Sequence, residues 1–171
     1  FRVVMAARRL ERTHAVVEEL RASGVGGELL PMALDLGDLD AVRAFADQLG
    51  ERFGAIDLLV NNAGVMGLPR SATADGFESH MGINHFGHFA LTSHLLELLD
   101  AGPAGRVVIV ASQSHRWGRL DLETLGEPLD RSHPEGAGFE WMAAYAASKL
   151  ANLLFAFELD RRLRIAGRTL K

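Results

Sequence analysis

The sequence predicts a doubly wound α/β fold, a parallel sheet with helices on both faces, carried by a single domain over 1–171. Two observations predict it. Short β-branched apolar runs alternate with helical-period segments of ten or more residues, the pattern of βαβ units with right-handed crossovers. The unusual polar residues Arg8, Asp35, Asn61 and Ser112 each stand at the carboxyl end of a predicted strand, where ligands of such sheets bind.

Arg2-Val3-Val4-Met5-Ala6-Ala7 reads as a short buried strand. A helix is expected from about Leu10 to Ala22, its apolar pattern set by Leu10, Val16, Val17 and Leu20, ending at Ser23-Gly24. Glu28 to Leu34 reads as the second strand and leads into Asp35-Leu36. Asp38 is placed to cap a helix running to about Phe53, with Val42, Phe45, Ala46, Leu49 and Phe53 inward. Ile56 to Val60 is a third buried strand, followed at once by Asn61-Asn62-Ala63-Gly64. A polar loop precedes a long helical stretch, 76–99, ended by Gly102-Pro103. Arg106 to Ala111 is the fourth strand and leads to Ser112. The span 115–139, with Gly118, Gly126, Pro128, Pro134, Gly136 and Gly138, reads as an irregular excursion. A final helix closes at Gly167.

Composition narrows the function. Of 171 residues, 48% are hydrophobic and 23% charged, and the net charge of −4 favours neither nucleic acid nor membrane as a partner. The absence of cysteine excludes disulfides, thiol catalysis and thiolate metal sites. No apolar run approaches the roughly 18 residues of a membrane span, and the first residues read as a strand rather than a secretory leader. A cytoplasmic location is therefore expected. His85 and His88 stand three apart, with His80 and His94 nearby, but one helical pair rarely completes a coordination sphere, so packing and solvent-facing roles are expected and no metal.

The final helix carries Tyr145-Ala146-Ala147-Ser148-Lys149. Lys149 stands four positions after Tyr145, placing the ammonium and the phenol on one helix face. A free tyrosine titrates near about 10, but an ammonium at about 4 Å favours the phenolate by roughly 4 kcal/mol at an effective dielectric of about 20. The phenol is then suited to proton transfer near neutral pH. An amphipathic helix with an incidental Tyr and Lys is the alternative. Ser112 is placed to meet a substrate oxygen or to cap a turn. Asn84, a mediocre helix former, is placed to bond backbone and open its helix locally, or to face solvent. At Asn61-Asn62-Ala63-Gly64 small residues let backbone approach a ligand while Asn side chains brace nearby loops. Met66, Trp117, Leu120, Trp141 and Met142 could line an apolar cleft or form core.

Together, Asn61-Asn62-Ala63-Gly64, Asn84, Ser112 and Tyr145-x-x-x-Lys149, in this order and at these places, resemble the short-chain dehydrogenase/reductase family and its Rossmann-like fold. Asn84-His85-Phe86-Gly87-His88-Phe89 and Ser148-Lys149-Leu150-Ala151-Asn152 are similar to the retinol-dehydrogenase-like branch. The resemblance implies an alcohol/carbonyl oxidoreductase in which Tyr145 is the general acid/base and Lys149 lowers its pKa and holds the nicotinamide ribose. It further implies that Ser112 orients the reacting oxygen and that Asn84 anchors a water on the proton path. Ser112 and Tyr145 stand 33 residues apart (145 minus 112), more than is usual in the family, which leaves Ser114 as an alternative.

Asp35 and Leu36 match positions that hold the adenine, and Asn61, Ala63 and Gly64 match a cofactor-lining turn. An acidic residue after the first strand would select NAD. Arg8-Arg9 stands there instead, a fork suited to a 2′-phosphate. NADP(H) is expected, with Arg8 the principal contact and NAD(H) the alternative; two solvated arginines are the plainer reading. The substrate is expected to be an apolar alcohol, aldehyde or ketone. The helices at 76–99 and 141–165 resemble those that pair subunits in the family, so a homodimer or homotetramer is plausible.

The family's Gly-rich phosphate loop is absent. In the strand order 3-2-1-4-5-6 the central strand is the one lacking, and the fold is expected to be incomplete at both ends. The chain reads as the middle of a longer protein, or as an inactive truncated fragment. A catalytically silent dinucleotide-binding or scaffold protein is the alternative function. An epimerase or dehydratase of the extended branch is disfavoured by Asn-Asn-Ala-Gly and the short chain.

Overall fold

Strands and helices alternate along the chain as expected, and both strand pairings are parallel. The structure, a computed structural model, describes residues 1–128 and 140–171. Pro134, Gly136 and Gly138 of the expected excursion lie outside the described residues. The chain forms two units, Phe1–Asp35 and Leu36–Lys171.

In the first unit, β1 (Arg2–Ala7) pairs in parallel with β2 (Glu28–Ala33), with Val3 opposite Leu29 and Ala7 opposite Ala33. The crossover is α1 (Leu10–Ala22), whose Val17 is buried between it and the strands' core residues Leu29 and Met32. Leu10 and Val16 are exposed, because a single turn of α1 around Thr13 and Val17 supplies its buried contact. β1 is largely exposed rather than buried: with β2 as its one partner in this sheet, alternate side chains such as Val3 have no layer over them.

In the second unit, the Asp38 carboxylate caps α2 (Leu39–Arg52), accepting from the amides of Asp40 at 3.0 Å and Ala41 at 3.1 Å. Val42, Phe45, Ala46 and Leu49 are buried as the 3.6 period requires, against α4 (Gly87–Asp100). Leu36 is buried under the same helix. A Cβ on Gly87 would stand 2.3 Å from the Leu36 carbonyl oxygen, so only glycine admits this approach. β3 (Leu58–Asn61) pairs in parallel with β4 (Arg106–Ile109), and α5 (Trp141–Ile165) packs on β4. β3, expected to be buried, exposes Leu58 and Val60 for the reason given for β1.

The stretch expected as one helix over 76–99 is three elements. Thr73 to Gly76 forms a turn closed by the Gly76 amide on the Thr73 carbonyl at 3.0 Å. Glu78 then caps a three-residue helix α3 (Ser79–Met81) through the Met81 amide at 2.9 Å. A π-turn spans Gly82–Phe86 before α4 begins. The local opening expected at Asn84 is this π-turn, and its cause is the side-chain bonding described next.

Candidate active site

The site is organised by the turn after β3 and by one face of α5. Asn61 is buried at the end of β3; its amide donates to the Thr92 hydroxyl at 2.8 Å, which donates to the His88 carbonyl at 2.8 Å. Its Oδ1 is buried without a partner among the described residues. The chain then passes Ala63 and Gly64 and is clamped at Val65. The Asn84 Oδ1 accepts from the Val65 amide at 2.7 Å, and the Asn84 amide donates to the Val65 carbonyl at 3.0 Å. The second amide hydrogen of Asn84 goes to the Ser148 hydroxyl at 3.0 Å, and Ser148 donates in turn to the Tyr145 carbonyl at 2.7 Å. Asn84 and Ser148 are both fully buried. One amide thus ties the strand-end loop to the helix that carries Tyr145 and Lys149.

Lys149 is 4% exposed, and its ammonium donates to the Val110 carbonyl at 3.2 Å, just past the end of β4. The ammonium stands 5.7 Å from the centre of the Tyr145 ring, and burial lowers its pKa. The Val110 carbonyl takes one of its three donors. A Cβ on Gly64 would lie 3.1 Å from Asn84 Oδ1 and 3.6 Å from the Lys149 nitrogen, so the turn leaves its space at the ammonium. Tyr145 is half-buried, and its ring meets the edge of His80 at 6.4 Å between centroids and 77°.

Ser112 caps a 3-10 helix (Gln113–Trp117) that packs on α5. A Cβ on Gly118, just after that helix, would meet the Ala146 carbonyl at 2.5 Å, so the segment lies against the turn carrying Tyr145. The buried Ser114 donates its hydroxyl to Ser112 Oγ at 2.9 Å, while Ser112 is half-buried and keeps its own hydroxyl hydrogen for another acceptor.

Asn61, Ala63, Gly64, Asn84, Ser112, Tyr145 and Lys149 therefore belong to connected parts of the second unit, with Leu36 buried under α4. Arg8 and Asp35 belong to the first unit. There an open crevice of about 580 Å³ lies between the end of β1 and the start of α1, lined by Arg8, Arg9, Arg12 and Thr13 among others. The guanidinium groups of Arg8, Arg9 and Arg12 make no hydrogen bond or ion pair with the described residues. Met66, Trp117, Trp141 and Met142 are exposed, which removes the core alternative for them.

Sequence reasoning gave no role to Ser148, Thr92 or Asn152. Ser148 lies inside the pentapeptide, three residues after Tyr145, where a hydroxyl reaches back to backbone. The carbonyls of Val65 and Val110 carry no sequence signal. The histidines hold internal partners: His80 the Glu78 carboxylate at 2.7 Å, His85 the Asn152 amide oxygen at 3.1 Å, and His88 the Asn84 carbonyl at 3.0 Å. His94 is exposed.

Burial lowers the pKa of His85 and His88 below the ordinary 6.5. Below that pH the unfolded chain takes up protons that the folded one resists, so stability is expected to fall on acidification through 6.5. The slope is at most about 1.4 kcal/mol per pH unit for each group. Urea midpoints at neutral and mildly acidic pH measure it, and His88→Gln should flatten the slope; an unchanged slope in that variant would contradict the assignment.

Residues 1–120 match the family model described as short chain dehydrogenase. The chain belongs to the short-chain dehydrogenase family. It is 43% identical over 169 residues to human retinol dehydrogenase 11, covering 98% of this chain and 50% of that protein. Mouse retinol dehydrogenase 14 is 39% identical over 172 residues, 95% of this chain and 49% of that protein. The chain thus spans about half the length of the curated relatives it matches. An uncharacterized Mycobacterium paratuberculosis protein of known crystal structure superposes with a TM-score of 0.81 at 43% identity, over 99% of this chain and 56% of that one. The Pseudomonas aeruginosa RhlG/NADP active-site complex superposes with a TM-score of 0.72 at 26% identity, over 99% and 59%. These matches establish the Rossmann-like α/β fold expected from the sequence.

Proposed function

We propose that the whole protein is an NADP(H)-dependent oxidoreductase that interconverts an alcohol and a carbonyl, with Tyr145 as the general acid/base. The observation that carries the reading is the buried Lys149 ammonium, held on the Val110 carbonyl beside the Tyr145 ring and open toward Gly64. In the oxidative direction the Tyr145 oxygen takes the hydroxyl proton of the alcohol, and the adjacent ammonium stabilises the phenolate. The spare hydroxyl hydrogen of Ser112 donates to the substrate oxygen and holds it in place. A nicotinamide, when bound, supplies the hydride acceptor or donor. The residues present fit such a group: Gly64 leaves a cradle that a Cβ would fill, and Asn61 Oδ1 is a buried acceptor awaiting a donor. Tyr145, Lys149, Asn61, Ala63, Gly64 and Leu36 would hold it, with Asn84 bracing the loop and serving a water on the proton path.

NADP(H) is favoured over NAD(H) by the first unit. Arg8, Arg9 and Arg12 crowd the N-terminal end of α1, where a helix dipole already disfavours cations and a phosphate would offset both. Arg8→Asp is expected to lower the NADPH/NADH preference about tenfold or more; an unchanged ratio would overturn the phosphate assignment. The relatives are named retinol dehydrogenases, and the exposed Met66 and Trp117, at 61% and 72%, suit an apolar alcohol or aldehyde of that kind. Nicotinamide absorbance change with a panel of apolar aldehydes tests the whole reading. Binding of NADPH without any turnover would favour a silent scaffold instead.

A further inference from the structure

Two motifs are left unused by this mechanism: the His85 of Asn84-His85-Phe86-Gly87-His88 and the Asn152 of Ser148-Lys149-Leu150-Ala151-Asn152. The fold joins them. His85 Nδ1 lies 3.1 Å from Asn152 Oδ1, and the Asn152 amide donates to the Val110 carbonyl at 3.3 Å. That carbonyl is the one holding the Lys149 ammonium at 3.2 Å. Asn152 is 2% exposed and stands on the helical turn after Lys149, so its amide cannot turn to water. The His85 ring packs against the Phe89 and Phe155 rings, at 6.2 Å and 6.1 Å between centroids, and those two rings meet each other at 5.1 Å.

We infer that His85 and Asn152 are positioning residues, which hold the Val110 carbonyl in place and through it set the position of the Lys149 ammonium beneath Tyr145. This rests on the proposed role of Lys149 and goes beyond it. The hydrogen-bond directions make the chain ordered. Asn152 presents N–H to Val110 only while its oxygen faces His85, and a neutral His85 protonated on Nδ1 is the donor that keeps it so. Burial keeps this ring neutral to lower pH than an ordinary histidine. The titratable neighbours of Lys149 are Tyr145 on its own helix and His88 on α4; His85 stands beyond Asn152. Loss of the amide lets the Val110 carbonyl and the ammonium drift, weakens the support of the phenolate, and moves the Tyr145-dependent limb of the pH–rate profile upward.

The test compares the whole protein with Asn152→Ala, His85→Phe and His85→Gln. Asn152→Ala and His85→Phe are expected to lower kcat about tenfold or more, with the apolar substrate's KM within about twofold, and to shift the kcat pH limb to higher pH. His85→Gln retains an N–H for Asn152 and is expected to restore most of kcat and the original limb. A merely structural role would lower the melting temperature and leave the limb in place. The inference is overturned if Asn152→Ala leaves kcat and the limb unchanged. If Asn152→Ala does not fold, His85→Phe decides by the same criterion. Tyr145→Phe separates the two levels: full turnover in that variant sinks the proposed function, whereas its loss together with indifference to Asn152 and His85 sinks this inference alone.

Discussion

Replacing Tyr145 with phenylalanine is expected to lower turnover by about a thousandfold, within the roughly 10²–10⁴ that positioned proton transfer contributes. The substitution removes one oxygen and keeps the ring, so the edge contact with His80 and the approach of Lys149 persist. Affinity for NADPH should change little, because the ammonium, the Gly64 turn and the Asn84 clamp do not depend on that hydroxyl. Fluorescence titration with NADPH and steady-state rates on one aldehyde measure both quantities. A variant that still turns over at near the parental rate removes Tyr145 from the chemistry.

The second large effect is expected at Asn84. Its amide satisfies the Val65 amide, the Val65 carbonyl and the Ser148 hydroxyl in a fully buried position. Asn84→Ala leaves all three without that partner. Each such loss costs about 1–3 kcal/mol, and the three share one cavity, so a total of about 3–5 kcal/mol is expected rather than their sum. Turnover should fall as well, by about 10²-fold, because the turn at Gly64 is released from the helix that bears Tyr145 and Lys149. Chemical denaturation and kcat are to be read on the same preparation. A loss of under about 0.5 kcal/mol would show that the clamp holds nothing.

The long periodic elements were legible in the residues. The Asp38 cap, the buried stripe Val42, Phe45, Ala46 and Leu49, and the span of α1 all follow from local chemistry that the fold does not override. The pattern from Tyr145 to Lys149 was legible because one helical turn is fixed by spacing alone. What escaped is non-local. That Ser148 bridges Asn84 to α5 depends on two segments meeting that stand 64 positions apart in the chain. The division of 76–99 into turn, short helix, π-turn and helix follows from side chains reaching the backbone of Val65, which no window around Asn84 contains. Exposure on β1 and β3 was misjudged because an apolar strand reads the same whether or not a neighbour covers it.

The π-turn at Gly82–Phe86 has a bearing on how this segment tolerates insertion and deletion. One residue beyond the regular count rotates everything downstream by about 100° relative to what precedes it. His80, on the near side, thereby meets Tyr145 while His88, on the far side, is buried as well. Trimming a single position here would produce a smoother helix by every propensity scale and would swing one of those two rings out to solvent. The irregular winding is a phase adjustment, and a designer who straightened it would gain helix and lose registration.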